Sequence, residues 1–161
     1  MHKNNTYDDH PDADVVQADI SDLASKVKIN REYDVPYVAG YSKDGKTVYF
    51  DYELPKYFVK GKLKVDITGF LLVHELVEKS LIDELGLTYQ HAHHIATLAE
   101  IEAVEVSGLN YNEYEKFLEK FIKADVKHVK NPPPDLDLTP YLDENDKPLL
   151  EKLKKARNAR E

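Results

Sequence analysis

At 161 residues, with 42% hydrophobic and 32% charged side chains, the chain has the length and balance of one globular domain with a single core. Its net charge of −8 opposes association with nucleic acid backbones and anionic membrane surfaces, and neither is expected as a partner. It has no cysteine, which excludes disulfides and thiolate metal sites, so any metal would have to be held by His, Asp, Glu or water.

In chain order, residues 1–14 lack an apolar pattern and read as a disordered arm. Residues 15–130 read as an α+β domain. A short helix can form around Ser21 to Val27, and two β-rich runs, Tyr37 to Tyr41 and Thr47 to Leu54, flank Lys43-Asp44-Gly45-Lys46. Asp-Gly between such runs predicts a hairpin, because glycine accepts the positive φ of the turn. Pro55 ends the second run, and a further short extended piece is expected in FVKGKLKVD, residues 58–66.

At Ile67 the hydrophobic period changes from two to 3.6. A first helix is expected to about Leu85, capped by Asp66 or Thr68 and stopped by Gly86. A second runs from about Tyr89 to Ser107, between a Thr88 cap and Gly108. A third, opened by Asn110 or Asn112, is expected from about Glu113 to Val129, with Tyr114, Phe117, Leu118 and Phe121 on one face. Asn131-Pro132-Pro133-Pro134 ends it. Residues 131–161 read as a Pro-rich loop and a helical tail of low core content, Leu149 to Arg160. The expected fold class is therefore α+β, a small antiparallel sheet followed by three main helices. No stretch reads as a signal peptide or a bilayer span, and the expected location is cytoplasmic.

The first long helix carries HELVE, residues 74–78. With His74 at zero on a wheel of 100° per residue, Phe70, Leu71, Val77, Leu81, Ile82 and Leu85 fall within about 80° of it and Glu78 at about 40°. His74 and Glu78 therefore sit in the middle of the apolar stripe, with Lys79 and Asp83 opposite. A buried carboxylate needs a partner. The four-residue spacing lets both side chains converge on one divalent ion, or on each other, and Glu78 can also pair with a Lys or a Tyr. Glu75 lies about 100° round, at the edge of the stripe.

On the second helix Ala92, Ala96, Ala99, Ala103 and Val106 form a stripe narrow enough for close helix packing. His93 and Glu100, seven apart, flank it. Gly86-Leu87-Thr88 is short, so the two helices should form an antiparallel hairpin. At 1.5 Å per residue His74 and Glu100 are then level, and Glu78 and His93 lie about a turn apart in height. The expected ligands are His74, Glu78 and His93, with Glu100 as a fourth ligand or as the partner of a histidine. His94 is the alternative to His93, and His91 points to the polar side. His2, His10 and His128 sit in polar contexts.

His74-Glu75-Leu76-Val77-Glu78 resembles the HExxH helix of the zincin metallopeptidases. The resemblance implies a zincin-like fold, zinc as the metal, His74 as first ligand and Glu75 as general base, with Glu78 where the family has its second histidine. It also implies a third ligand from further along, for which His93 or Glu100 could serve. The strand Thr47 to Leu54 would be the edge strand on which a peptide or protein substrate is laid. The function expected on this basis is a metal-dependent hydrolase or peptidase. The alternative is a non-enzymatic protein in which the metal only ties two helices together, such as an accessory or interaction protein of a virus or mobile element.

Overall fold

The computed structural model describes residues 24–142 and 147–158. The expected arm at 1–14, and with it His2 and His10, lies outside them, as does the part of the first predicted helix before Ala24.

The short strand β1 (Lys28–Asn30) precedes the hairpin anticipated around Asp44-Gly45, formed by β2 (Ala39–Tyr41) and β3 (Thr47–Phe50). Gly45 takes φ 73° in the turn, which a side chain would resist. β2 pairs antiparallel with β3, and β1 adds in parallel to the other side, giving the order β1-β3-β2. β1 has three mostly exposed residues and no alternating pattern, so the sequence carried no sign of it. The consequence for function is a correction. β3 ends at Phe50, not Leu54, and both its edges are already paired, so it offers no edge to a substrate. The segment FVKGKLKVD forms a separate two-stranded hairpin, β4 (Tyr57–Lys60) and β5 (Leu63–Asp66), turning at Gly61 with φ 58°.

Three helices follow: α1 (Thr68–Leu85), α2 (Tyr89–Val106) and α3 (Tyr111–Glu119). Gly86 ends α1 in the left-handed conformation, its N–H bonding the Ile82 carbonyl. The Thr88 hydroxyl caps α2 by accepting from the His91 amide, and the Asn110 side chain caps α3 by accepting from Glu113. α1 and α2 pack as the expected hairpin, with Ala92 and Ala96 fully buried against Val77 and Leu81. No helix among the described residues is long and apolar enough to cross a membrane.

α3 stops about ten residues short of Val129. Its last amides, Lys120 to Ile122, bond three residues back as the helix unwinds. Lys123 then turns inward, placing its ammonium 2.8 Å from Asp34 and 3.1 Å from the fully buried Asp51. Burial opposes the charge on Lys123, but hydrogen bonds to Asp34 and Asp51 outweigh it and raise the pKa above the ordinary lysine value. Burial also opposes the charge on Asp34, which is nonetheless held below the usual aspartate range by Lys123 and by the amides of Asn131 and Lys130. Lys123→Ala would leave two buried carboxylates without their cation and is expected to cost about 3–5 kcal/mol, read as a fall in the urea midpoint. A loss below about 1 kcal/mol would mean that water screens the cluster.

The chain end is more deeply built in than its composition suggested. Asp137 donates its amide to the Tyr41 carbonyl, and Leu136 and Tyr141 are buried beside β2 and β3. In the last helix, α4 (Lys147–Asn158), Leu149, Leu150 and Leu153 are buried in the same cluster, so the tail contributes a second core where little was expected. Lys79 also departs from its place on the wheel. It is buried, bonding Asp137 at 2.7 Å and the Lys43 carbonyl at 3.0 Å. The wheel put it opposite the apolar stripe, but that side of α1 faces the returning chain end and not solvent.

Candidate metal centre

α1 delivers His74, Glu75 and Glu78, and α2 delivers His93 and Glu100, because the short turn sets the two helices antiparallel and the alanines let them approach closely. His74 and Glu78 are buried, while His93 stands half exposed at the mouth. His74 Nε2 lies 3.2 Å and His93 Nδ1 2.9 Å from the same oxygen, Glu78 Oε2. Each of the three residues offers a ligand atom within 4.8 Å of the others.

Tetrahedral coordination at bond lengths of about 2.0–2.1 Å puts neighbouring ligand atoms about 3.3 Å apart. The separations of His74 Nε2 and His93 Nδ1 from Glu78 Oε2 are close to that edge length. Two imidazoles and a carboxylate are donors suited to zinc or another divalent metal, so the residues present fit such an ion.

Glu100 is not one of the converging three. It accepts from the opposite nitrogen of His74, Nδ1, at 2.9 Å, and Tyr114 donates its hydroxyl to the other oxygen of Glu100 at 2.6 Å. Of the two roles foreseen for Glu100, this geometry is that of the histidine's partner, which fixes the ring orientation and leaves Nε2 for the site. Glu78 is supported in the same manner, with Tyr41 donating to Oε1 at 2.8 Å. His94 lies outside the group.

The electrostatics follow from this pairing. Burial works against a charge on His74, yet its hydrogen bonds to Glu100 and Glu78 outweigh burial and raise its pKa well above the usual value. Burial would also raise Glu78, but hydrogen bonds from His74, His93 and Tyr41 hold it down at about 2. The metal-free site is thus a bridged imidazolium between two carboxylates. A metal must displace the Nε2 proton, so its affinity falls as pH falls.

Glu75 is different. It is only 8% exposed and makes no hydrogen bond among the described residues. Burial first, and the Glu78 charge second, push it up to about 8. It lines a cavity of about 290 Å³ together with His74, Glu78 and His93, walled by Gly40, Tyr89 and Tyr141. The Tyr141 side chain is buried and stacks on Tyr37, with ring centroids 6.3 Å apart, and its hydroxyl has no hydrogen-bond partner among the described residues. Gly40 makes room for that hydroxyl, since a Cβ there would lie 3.4 Å from it and 2.8 Å from Leu136. Beside the cavity, Tyr37 and Val38 both hold positive φ, 57° and 70°, a strained conformation for any side chain and most of all for a β-branched one.

The sequence leaves a tyrosine open as the partner of Glu78, which Tyr41 proves to be, but it points to neither Tyr114 nor Tyr141 in such a role. The only available signal was that buried carboxylates require donors, and nothing in a sequence with 11 tyrosines says which of them reach. Tyr114→Phe would leave one oxygen of Glu100 unbonded. It is expected to weaken metal affinity about tenfold and stability by about 1–3 kcal/mol, read by competition with a chromophoric chelator and by thermal melting. Unchanged affinity would mean that Glu100 does not position His74.

Compared with protein-family models, with curated proteins and with solved structures, the chain finds no match in any of the three.

Proposed function

We propose that this protein is a metal-dependent hydrolase of zincin-like design, with peptide amides as substrates and a divalent ion, zinc by donor chemistry, held by His74, Glu78 and His93. The observation that carries this reading is Glu75, a buried carboxyl group without a hydrogen-bond partner among the described residues, facing the same cavity as the three converging ligands. A structural zinc site is closed by four protein ligands, whereas a catalytic one keeps a position open. Three converging ligands beside a cavity fit the second arrangement.

When bound, the ion supplies Lewis acidity for polarising a carbonyl and acidifying water. Glu75 takes the proton from the attacking water and passes it to the leaving nitrogen. The Tyr141 hydroxyl, unpaired among the described residues, donates to the carbonyl oxygen as negative charge develops there. Glu100 and Tyr114 hold the His74 ring, Tyr41 holds Glu78, and the walls of the cavity exclude bulk water.

The reading is tested by elemental analysis of purified protein followed by incubation of the zinc-loaded chain with a peptide library. One equivalent of metal and chelator-sensitive cleavage are expected. One equivalent of metal with no cleavage would leave a structural site. Tyr141→Phe keeps the ring and its stacking and is expected to lower kcat about 10²-fold with metal content intact; an unchanged kcat would remove Tyr141 from the reaction.

A further inference from the structure

The candidate centre opens on two chemically unlike sides. The side already described runs along β2 and Tyr141. The other is a second cavity of about 290 Å³ that shares Tyr37, His74, Glu75 and His93 with the first. It continues along α3, past Tyr111, Glu115, Leu118, Glu119 and Ile122, and is backed by Leu71. No lysine or arginine lines it.

Glu115 and Glu119 are four residues apart on one face of α3. Both are exposed, and neither side chain is in an ion pair or hydrogen bond among the described residues. Like charges at this spacing repel and cost the helix stability. Lys123 is committed to Asp34 and Asp51 and Lys60 to Glu113, and Lys116 and Lys120, next to them in the chain, form no ion pair with them among the described residues. At the inner end of the same cavity stands Glu75, nine-tenths buried and without a hydrogen-bond partner among the described residues. The cavity thus has two carboxylates without a cation at its outer end, and apolar side chains between them and Glu75.

We infer that this side of the cleft is a subsite for a cationic side chain, and that the substrates carry lysine or arginine next to the bond presented to the candidate centre. The methylene stem of such a residue lies along Leu71, Leu118 and Ile122, and its charged head reaches Glu115 and Glu119. Acidic residues are disfavoured by repulsion, and uncharged residues forgo the pairing with the two exposed carboxylates. This subsite rests on the proposed hydrolase only for where the scissile bond lies; its preference for cations does not.

The test uses the full chain loaded with zinc and two probes, the hydroxamates of acetyl-lysine and of acetyl-norleucine, which differ in the ammonium group alone. Calorimetric titration is expected to show the lysine probe binding about tenfold more tightly. In the Glu115→Gln, Glu119→Gln double variant that advantage disappears, with a melting temperature within a degree or so of wild type showing that the fold is retained. Equal affinity of the two probes for the wild type, or binding of neither, overturns the inference. The peptide library separates it from the hydrolase reading: a lysine preference without cleavage keeps the subsite and removes the hydrolase, and cleavage without a preference for basic residues removes the subsite and keeps the hydrolase.

Discussion

His74→Ala is expected to abolish stoichiometric metal binding and to erase the difference in stability between loaded and chelated protein. His74 Nε2 is the ligand atom held most firmly, because Glu100 and Tyr114 fix the ring from its far side. An ion that binds only the native chain stabilises it by about 4 kcal/mol at a thousandfold excess over Kd. For a chain of this length that raises the melting temperature by about 10 °C. The substitution also removes a cation from between two buried carboxylates, so the metal-free variant will melt below metal-free wild type, and the absolute melting point cannot be the readout. The informative quantity is the shift on adding chelator, about 10 °C downward in wild type and none in His74→Ala. Lowering the pH should mimic chelation, since the metal must compete with a proton on Nε2. A wild type whose melting is indifferent to chelator would show that His74, Glu78 and Glu100 are a hydrogen-bonded network and nothing more.

Much of this centre was legible because helical periodicity is strict. Placing Glu78 40° from His74 on an apolar stripe required that it be buried, and burial required partners. The short Gly86-Leu87-Thr88 turn then set Glu100 level with His74 and His93 about a turn from Glu78, and in the structure both pairs lie 2.9 Å apart. What depended on distant chain was not legible. Lys79 reads as solvated on its own helix, and only the return of Asp137, 58 residues later, buries it. Tyr141 reads as part of an irregular Pro-rich loop, yet the bridge from Ser42 to Leu136 brings it to the cavity wall. β1 joins the sheet through three residues with no pattern of their own, which turned a strand expected at the edge into the central one. The end of α3 differs from the helical pattern for a related reason. Helical propensity continues past Glu119, but the buried acids Asp34 and Asp51 draw Lys123 inward and the helix gives way.

Glu75→Gln carries the largest expected effect on chemistry. The amide has nearly the same shape as the carboxyl, and the wild-type carboxyl makes no hydrogen bond that the variant would lose, so the fold should tolerate the change and gain slightly from it. Burial of an ionisable group beside Glu78 is costly, and that cost is what pushes Glu75 up to about 8 in the metal-free chain. A divalent cation on the three ligands would pull it back down, leaving a carboxylate near neutrality, where a general base is most effective. An amide cannot accept the proton. Cleavage by zinc-loaded Glu75→Gln should therefore fall by about 10²–10⁴-fold, while metal content stays at one equivalent and the melting temperature is unchanged or higher. The combination is diagnostic, because a residue retained for packing would lower stability and leave turnover alone. If zinc-loaded wild type cleaves nothing beyond the Glu75→Gln background, Glu75 is a buried acid without a reaction and the centre serves to join α1 to α2.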